Sequence, residues 1–189
     1  MSIHGLLLAA GAGRRMGRPK ALVRGDDGEL WLVRGVRALR DGGCEGVDVV
    51  LGAAAEQALP LLEGVDAGVV VAADWAAGMS ASLRAGLTAA TTTGADAAVV
   101  SLVDLPDVGA DVVRRLLADP PGAATLRRAA YAGRPGHPVV LGREHWVAIA
   151  AQATGDHGAR DYLRGHLVEL VECGDLATGR DVDSPGAMG

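Results

Sequence analysis

Short runs of apolar residues alternate along the chain with longer stretches that carry apolar residues at helical spacing. The short runs, rich in valine, leucine and alanine, predict five strands, at residues 5–9, 46–51, 67–71, 97–103 and 167–172. In the first long stretch Leu32, Val36 and Leu39 share one helical face, and similar patterns start at Met79 and Val112. The strands lack polar alternation, which is typical of a sheet covered on both faces.

Strands that alternate with helices in this way predict βαβ units around a mainly parallel sheet, which is the α/β class. We expect a single domain over residues 1–189, because this length suits one domain. Residues 120–138 interrupt the alternation with prolines and glycines. We interpret them as a strand and loop insertion near the edge of the sheet.

Composition and charge exclude several classes of function. The net charge is −5 and 3% of the residues are aromatic, so neither a basic footprint nor a stacking platform for nucleic acid is expected. No apolar segment is long enough to span a membrane, and residues 3–10 lack the basic segment that precedes a signal peptide. Cys44 and Cys173 are too few for a disulfide framework. We expect a cytoplasmic protein that binds neither nucleic acid nor membrane.

Residues 6–20, LLLAAGAGRRMGRPK, join a buried-type strand to a glycine-rich loop. Glycines let a backbone approach a ligand, and successive loop N–H groups form a concave anion site. Arg15 and Lys20 add positive charge suited to a polyphosphate. Lys20 is the one lysine among 18 basic residues, so its position in this loop favours a functional role. Two known patterns fail here, because the glycine spacing is Gly-x-Gly-x-x-x-Gly, not the dinucleotide fingerprint, and Ala21 follows where a P-loop needs serine or threonine.

Two acidic residues and one helix start also suggest phosphate chemistry. Asp104 and Asp183 each follow a predicted strand, so both are expected at the carboxyl edge of the sheet, where ligands of open α/β sheets bind. Two carboxylates there suit Mg²⁺, with waters and phosphate oxygens completing an octahedral shell. The helix that starts near Met79 offers N–H groups to an anion, with Ser80 and Ser82 as further donors. The alternative is that Ser80 caps that helix.

Residues 8–20 resemble the first signature of the molybdenum cofactor cytidylyltransferase family, one of the molybdopterin-type nucleotidyltransferases. Later segments resemble further motifs of that family in the same order: residues 78–87, Asp104-Leu105-Pro106, Gly136-His137-Pro138, residues 155–160 and residues 181–185. The resemblance therefore spans nearly the whole chain. It departs from the family pattern at Gly13, which replaces a serine, and at Ala72, where relatives often carry asparagine.

The resemblance implies a three-layer α/β/α Rossmann-like nucleotidyltransferase fold, with Mg²⁺ as cofactor and transfer of CMP from CTP to molybdopterin. The catalytic residues it implies are Lys20, Arg15, Asp104 and Asp183, the last two as metal ligands. The nucleotide side comprises Leu8, Ala9, Ala10, Gly11, Gly13, Arg15, Lys20, Gly78, Ser80 and Ser82. The acceptor side comprises His137, Asp156 and Arg160. Ala10 resembles the cytidine branch, and a molybdoenzyme or its maturation chaperone is the implied protein partner.

Several alternatives stay open at this point. His137 either approaches substrate or is an ordinary loop histidine, and Asp156 and Arg160, at helix-turn spacing, either bind substrate or pair with each other. The acceptor is alternatively a sugar phosphate or phospholactate. A non-catalytic nucleotide or molybdopterin carrier and an NAD-binding oxidoreductase are the other hypotheses, and the failed dinucleotide fingerprint disfavours the oxidoreductase.

Overall fold

Seven strands form one sheet in the computed structural model, which describes residues 1–183. They are β1 (Ile3–Ala9), β2 (Gly46–Leu51), β3 (Gly68–Val71), β4 (Ala97–Leu102), β5 (Leu126–Tyr131), β6 (Arg134–Gly142) and β7 (Glu169–Glu172). Their order across the sheet is β3-β2-β1-β4-β6-β5-β7. β6 runs antiparallel to its neighbours β4 and β5, and the other neighbouring pairs are parallel.

Helices cover both faces of the sheet. They are α1 (Trp31–Asp41), α2 (Ala55–Ala58), α3 (Met79–Ala90), α4 (Ala110–Leu116), α5 (Arg143–Gln152) and α6 (Arg160–Arg164). Short 3₁₀ turns lie at Lys20–Leu22, Leu59–Leu62, Trp75–Ala77 and Gly155–His157. Within residues 1–183, every helix is too short or too polar to cross a lipid bilayer.

The central strand β1 shows why the fold has three layers. Successive side chains of a strand point to opposite faces, and all three leucines of β1 are buried. Leu7 packs in a cluster with Leu39 of α1, whereas Leu6 and Leu8 pack in a second cluster with Leu83 of α3. The first cluster also contains α4, and the second contains α5 and α6. Unbroken apolar strands therefore match a sheet buried on both faces, as the sequence pattern predicts.

The predicted strands and the three predicted helices are present, with shifts of a few residues at their ends. The interpretation of residues 120–138 is wrong in one respect. This segment holds β5 and the beginning of β6, and β6 lies inside the sheet, between β4 and β5. Its prolines and glycines occupy the loop before β5, the turn between β5 and β6, and the amino end of β6, while the apolar half of β6, from Val139, pairs with β4. The turn residues hid an interior strand.

Candidate active site

A cleft of about 810 Å³ opens at the carboxyl edge of the sheet, where β1 and β4 end. Its walls are the loop after β1, the beginning of α3, and the first residues of β6. The strand order explains its position. The chain leaves β1 toward β2 on one side of the sheet and leaves β4 toward β5 on the other side. Connections that diverge from adjacent parallel strands leave a crevice at the ends of those strands.

The glycine-rich loop after β1 forms one wall of the cleft. The predicted loop residues that line it are Leu8, Ala9, Ala10, Gly11, Gly13, Arg15 and Lys20. Gly13 has φ +59°, and a β-carbon there would lie 1.9 Å from the carbonyl oxygen of Arg18. The serine of the family pattern that residues 8–20 resemble is therefore incompatible with this loop conformation. Ala72, the other departure, is buried in the core and does not line the cleft.

Lys20 connects the loop to two carboxylates. Its Nζ lies 2.5 Å from Oδ2 of Asp104 and also contacts Oδ1 of Asp183. Arg15 approaches the other oxygen of Asp183, with Nη1 2.8 Å from Oδ2, although the Arg15 side chain is 82% exposed. Burial lowers the pKa of Lys20, but its hydrogen bonds to both carboxylates outweigh that effect and raise the pKa above its ordinary value. Lys20 is therefore charged, and its hydrogen bond lowers the pKa of Asp183.

The segment that carries Asp183 reaches the cleft by a route the sequence did not indicate. Asp183 does not follow directly on a strand, because β7 ends at Glu172. The residues after β7 lead back to the carboxyl end of β4, where the Val182 N–H donates to the carbonyl oxygen of Asp104 over 3.0 Å. This hydrogen bond brings the two carboxylates together. Ser184 and Pro185 of the predicted closing motif lie outside the described residues.

Three carboxylates at this point fit a divalent cation. Asp104, Asp181 and Asp183 each offer an oxygen, and the three oxygens lie within 4.8 Å of one another. Oδ1 of Asp104 is buried and has no hydrogen-bond partner among residues 1–183, which is costly unless a ligand satisfies it. An all-oxygen carboxylate set suits hard ions such as Mg²⁺ or Mn²⁺. Asp181, the first residue of the segment 181–185, is an additional member of this cluster.

The carboxylate of Asp156 lies at the amino end of α3, where the fold itself uses it as a hydrogen-bond acceptor. Oδ1 of Asp156 accepts a hydrogen bond from the Met79 N–H over 3.3 Å. Gly78, with φ +103°, permits this approach, since a β-carbon there would lie 2.6 Å from the same oxygen. Asp156 thus supports α3 and does not pair with Arg160 as one alternative held. Asp156, Gly78 and Arg160 all line the cleft.

The two serines of α3 differ in position. Ser80 is buried, and its Oγ accepts a hydrogen bond from the Gly158 N–H over 3.1 Å. It therefore neither caps α3 nor lines the cleft, which corrects both interpretations of this residue. Gly78 occupies the N-cap position instead. Ser82 lines the cleft and is the serine available to a ligand at this wall.

The wall formed by β5, β6 and α6 carries positive charge. Arg128, His137 and Arg160 line the cleft there. Burial, followed by the charges of Arg128 and Arg160, lowers the pKa of His137 to about 4, so this histidine is neutral near pH 7. Burial and the charge of Arg160 also lower the pKa of Arg128. Arg128 was not among the predicted site residues, and the only signal in the sequence was an arginine pair in the segment taken for an insertion.

Comparisons with known proteins show the family and the fold of the chain. A family model described as "MobA-like NTP transferase domain" matches residues 5–171. The chain is 40% identical to nicotine blue oxidoreductase of Paenarthrobacter nicotinovorans over 204 residues, covering 98% of this chain and 94% of that protein. The Rv0371c protein of Mycobacterium tuberculosis, solved in complex with manganese, is 28% identical, with a TM-score of 0.77 over 96% of this chain and 94% of that one. A nucleotidyl transferase from Methanothermobacter, 23% identical, has the same fold, with a TM-score of 0.82 over 98% of this chain and 93% of that one.

Proposed function

The chain belongs to the MobA-like NTP transferase domain family, a family of nucleotidyltransferases, and on that premise we propose that it transfers CMP from CTP to the phosphate of a molybdopterin-type acceptor. The observation that carries the proposal is the contact of Lys20 with Asp104 and Asp183 beside the glycine-rich loop. One cleft thus combines a phosphate loop, a charged lysine and carboxylates suited to a metal. The choice of CTP rests on Ala10, which resembles the cytidine branch, and the acceptor rests on the resemblance of the later motifs.

The nucleotide occupies the wall formed by the loop after β1. Backbone N–H groups of the loop face its phosphates, and Lys20 and Arg15 balance their charge. The family is typically dependent on a divalent metal. Asp104 and Asp183, with Asp181 beside them, would hold Mg²⁺, which when bound neutralises charge that develops on the phosphate oxygens.

The acceptor occupies the wall formed by β5, β6 and α6, near His137 and Arg160. An oxygen of its phosphate group attacks the α-phosphorus of the nucleotide. The bond from the α-phosphorus to the bridging oxygen breaks, and pyrophosphate leaves with the electron pair of that bond. Because the attacking group is already an anion, the reaction needs positioning and charge stabilisation but no activated protein nucleophile.

A nucleotide titration tests this proposal. With Mg²⁺ present, we expect CTP to bind more tightly than GTP, UTP or ATP, and pyrophosphate to appear only when a phosphorylated acceptor is added. A panel of molybdopterin, sugar phosphates and phospholactate identifies the acceptor class. Asp104→Asn and Asp183→Asn are expected to abolish pyrophosphate release while the fold is retained. Failure of all four nucleotides to bind contradicts the proposal.

One observation favours a second candidate, because the relative at 40% identity over 98% of this chain is named an oxidoreductase. In that case a reduced nicotinamide cofactor donates hydride to nicotine blue or a similar acceptor in the same cleft, and solvent supplies the proton. Loss of the reduced nicotinamide absorbance in the presence of nicotine blue, without Mg²⁺ or CTP, supports this candidate. Stabilisation by CTP with Mg²⁺, and none by NADH or NADPH in a thermal-shift titration, contradicts it.

A further inference from the structure

Two arginines, Arg128 and Arg160, line the wall of the cleft formed by β5, β6 and α6. Arg128 lies on β5 and pairs in register with Val139 of β6, and Arg160 is the first residue of α6. Both line the cleft. In the part of the chain that the structure describes, neither side chain forms an ion pair with an aspartate or glutamate.

The Arg128 side chain is held in place by the backbone. Its Nε and Nη2 both donate to the carbonyl oxygen of Gly136, over 3.0 Å and 2.9 Å. One edge of the guanidinium is thereby fixed. The other edge, with Nη1, makes no hydrogen bond among residues 1–183. A fixed guanidinium with a free edge is suited to the two oxygens of a phosphate or carboxylate group.

The adjacent arginine shows the contrast. Arg127 is buried, and its donors are taken by Asp119, Glu169 and the carbonyl oxygen of Leu116. Because consecutive residues of a strand face opposite sides, Arg127 serves the packing of β5 against β7, whereas Arg128 faces the cleft. Arg127 is thus engaged by two carboxylates and by backbone carbonyl groups, whereas Arg128 has no carboxylate partner among residues 1–183.

The charge at this wall is unfavourable without a ligand. Burial and the charge of Arg160 lower the pKa of Arg128, and burial, followed by the charges of both arginines, lowers the pKa of His137. Like charges gathered in a partly buried site repel each other, and a bound anion removes that repulsion. His137 adds a hydrogen-bonding ring nitrogen but no further charge.

The position of this wall relative to the carboxylates is set by the sheet. The last pair between β4 and β6 is Val100 with Val139, and His137 lies two residues further toward the carboxyl end of β4. Asp104 lies two residues beyond the end of β4 at the same edge. His137 and Asp104 therefore lie at the same edge of the sheet, and Arg128 is bound to Gly136, the residue before His137.

We propose that Arg128 and Arg160 form an anion-binding subsite for the phosphate monoester group of the acceptor, with the Arg128 guanidinium as its main hydrogen-bond donor. The identity of the ligand as the acceptor phosphate rests on the proposed nucleotidyl transfer. Binding of the anion itself does not depend on that transfer. It can therefore be tested separately.

The probe is inorganic phosphate, titrated calorimetrically into the protein with Mg²⁺ in a phosphate-free buffer. Arg128→Gln is expected to weaken phosphate binding by about tenfold to a hundredfold, the usual effect of losing hydrogen bonds to a charged group. Arg134→Gln is the matched control, because Arg134 is an exposed arginine of β6 that does not line the cleft, and it is expected to leave the affinity unchanged. The affinity of Arg128→Gln for CTP with Mg²⁺ is expected to equal that of the wild type.

Three results overturn the subsite. The wild type does not bind phosphate, or Arg128→Gln binds phosphate as tightly as the wild type, or Lys20→Ala loses phosphate affinity while Arg128→Gln keeps it. The last result places the anion at the nucleotide wall. If no nucleotide binds but phosphate binding depends on Arg128, the proposed transfer fails and the subsite stands. If CTP binds and the affinity for phosphate does not depend on Arg128, only the subsite fails.

Discussion

The Nζ of Lys20 lies 2.5 Å from Oδ2 of Asp104, although the two residues are 84 positions apart in the chain. The same ammonium contacts Asp183, which is 163 positions away. The single lysine therefore joins the phosphate loop after β1, the end of β4 and the segment after β7. The Lys20 ammonium binds two of the carboxylates that would hold a divalent cation. The ammonium and the metal would therefore compete for the same group of carboxylates.

Lys20→Met is expected to change metal binding and transfer in opposite directions. Removing the ammonium relieves repulsion of a divalent cation by about 1 kcal/mol or more, so Mn²⁺ without nucleotide is expected to bind roughly fivefold more tightly. Transfer is expected to fall by about a hundredfold or more, because a charged donor to the triphosphate is lost. Calorimetry and pyrophosphate release measure the two effects. Arg18→Gln, which changes an exposed arginine of the same loop that does not line the cleft, is the control. Weaker Mn²⁺ binding in Lys20→Met contradicts this account.

Gly13→Ser is expected to damage the loop and not to restore the family's hydroxyl. The residue has φ +59°, and its β-carbon would meet the Arg18 carbonyl oxygen at 1.9 Å. We expect a loss of about 1–3 kcal/mol in the free energy of unfolding, together with weaker CTP binding. Chemical denaturation checks the first effect. Gly11→Ala is the control for stability, because a β-carbon at Gly11 meets no atom within 4 Å. Unchanged stability in Gly13→Ser would show that the loop adopts another conformation.

Asp156→Ala is expected to destabilise the amino end of α3. The substitution removes the acceptor of the Met79 N–H and the negative charge at that helix end, a loss of about 0.5–2 kcal/mol. Asp156→Asn keeps an acceptor oxygen and loses only the charge, so it is expected to cost less. Thermal and urea unfolding of both variants measure the difference. A large fall in acceptor affinity in Asp156→Asn, with stability unchanged, would instead support the substrate contact that the sequence predicts.

His137 is expected to make stability depend on pH. Burial and the two neighbouring arginines lower its pKa to about 4, whereas a histidine in an unfolded chain has a pKa of about 6.5. Between these values the unfolded chain binds a proton that the folded protein does not, so the free energy of unfolding falls as the pH drops from about 6.5 to about 4. His137→Gln is expected to reduce this fall. Urea unfolding across that pH range measures it, and an identical slope in the variant refutes the assignment.

Much of the fold follows from local pattern. The apolar runs of β1, β2 and β4 and the helical spacing in α1, α3 and α4 are properties of neighbouring residues, so they are visible without the structure. The glycines and Lys20 after β1 are likewise contiguous. β6 was hidden because its amino half carries turn-forming prolines and glycine, although its apolar half pairs with β4.

The candidate site divides in the same way. The sequence by itself determined the alternation of strands and helices, the phosphate loop and the Asp104 carboxylate at the end of β4, because each depends on residues close together in the chain. Only the tertiary structure decided that Asp181 joins Asp104 and Asp183, that Ser80 is buried, and that Arg127 packs against β7 while Arg128 faces the cleft. These outcomes depend on which strands become neighbours and which face of each strand a helix covers. That choice minimises exposed apolar surface over the whole chain, and no local window of residues contains it.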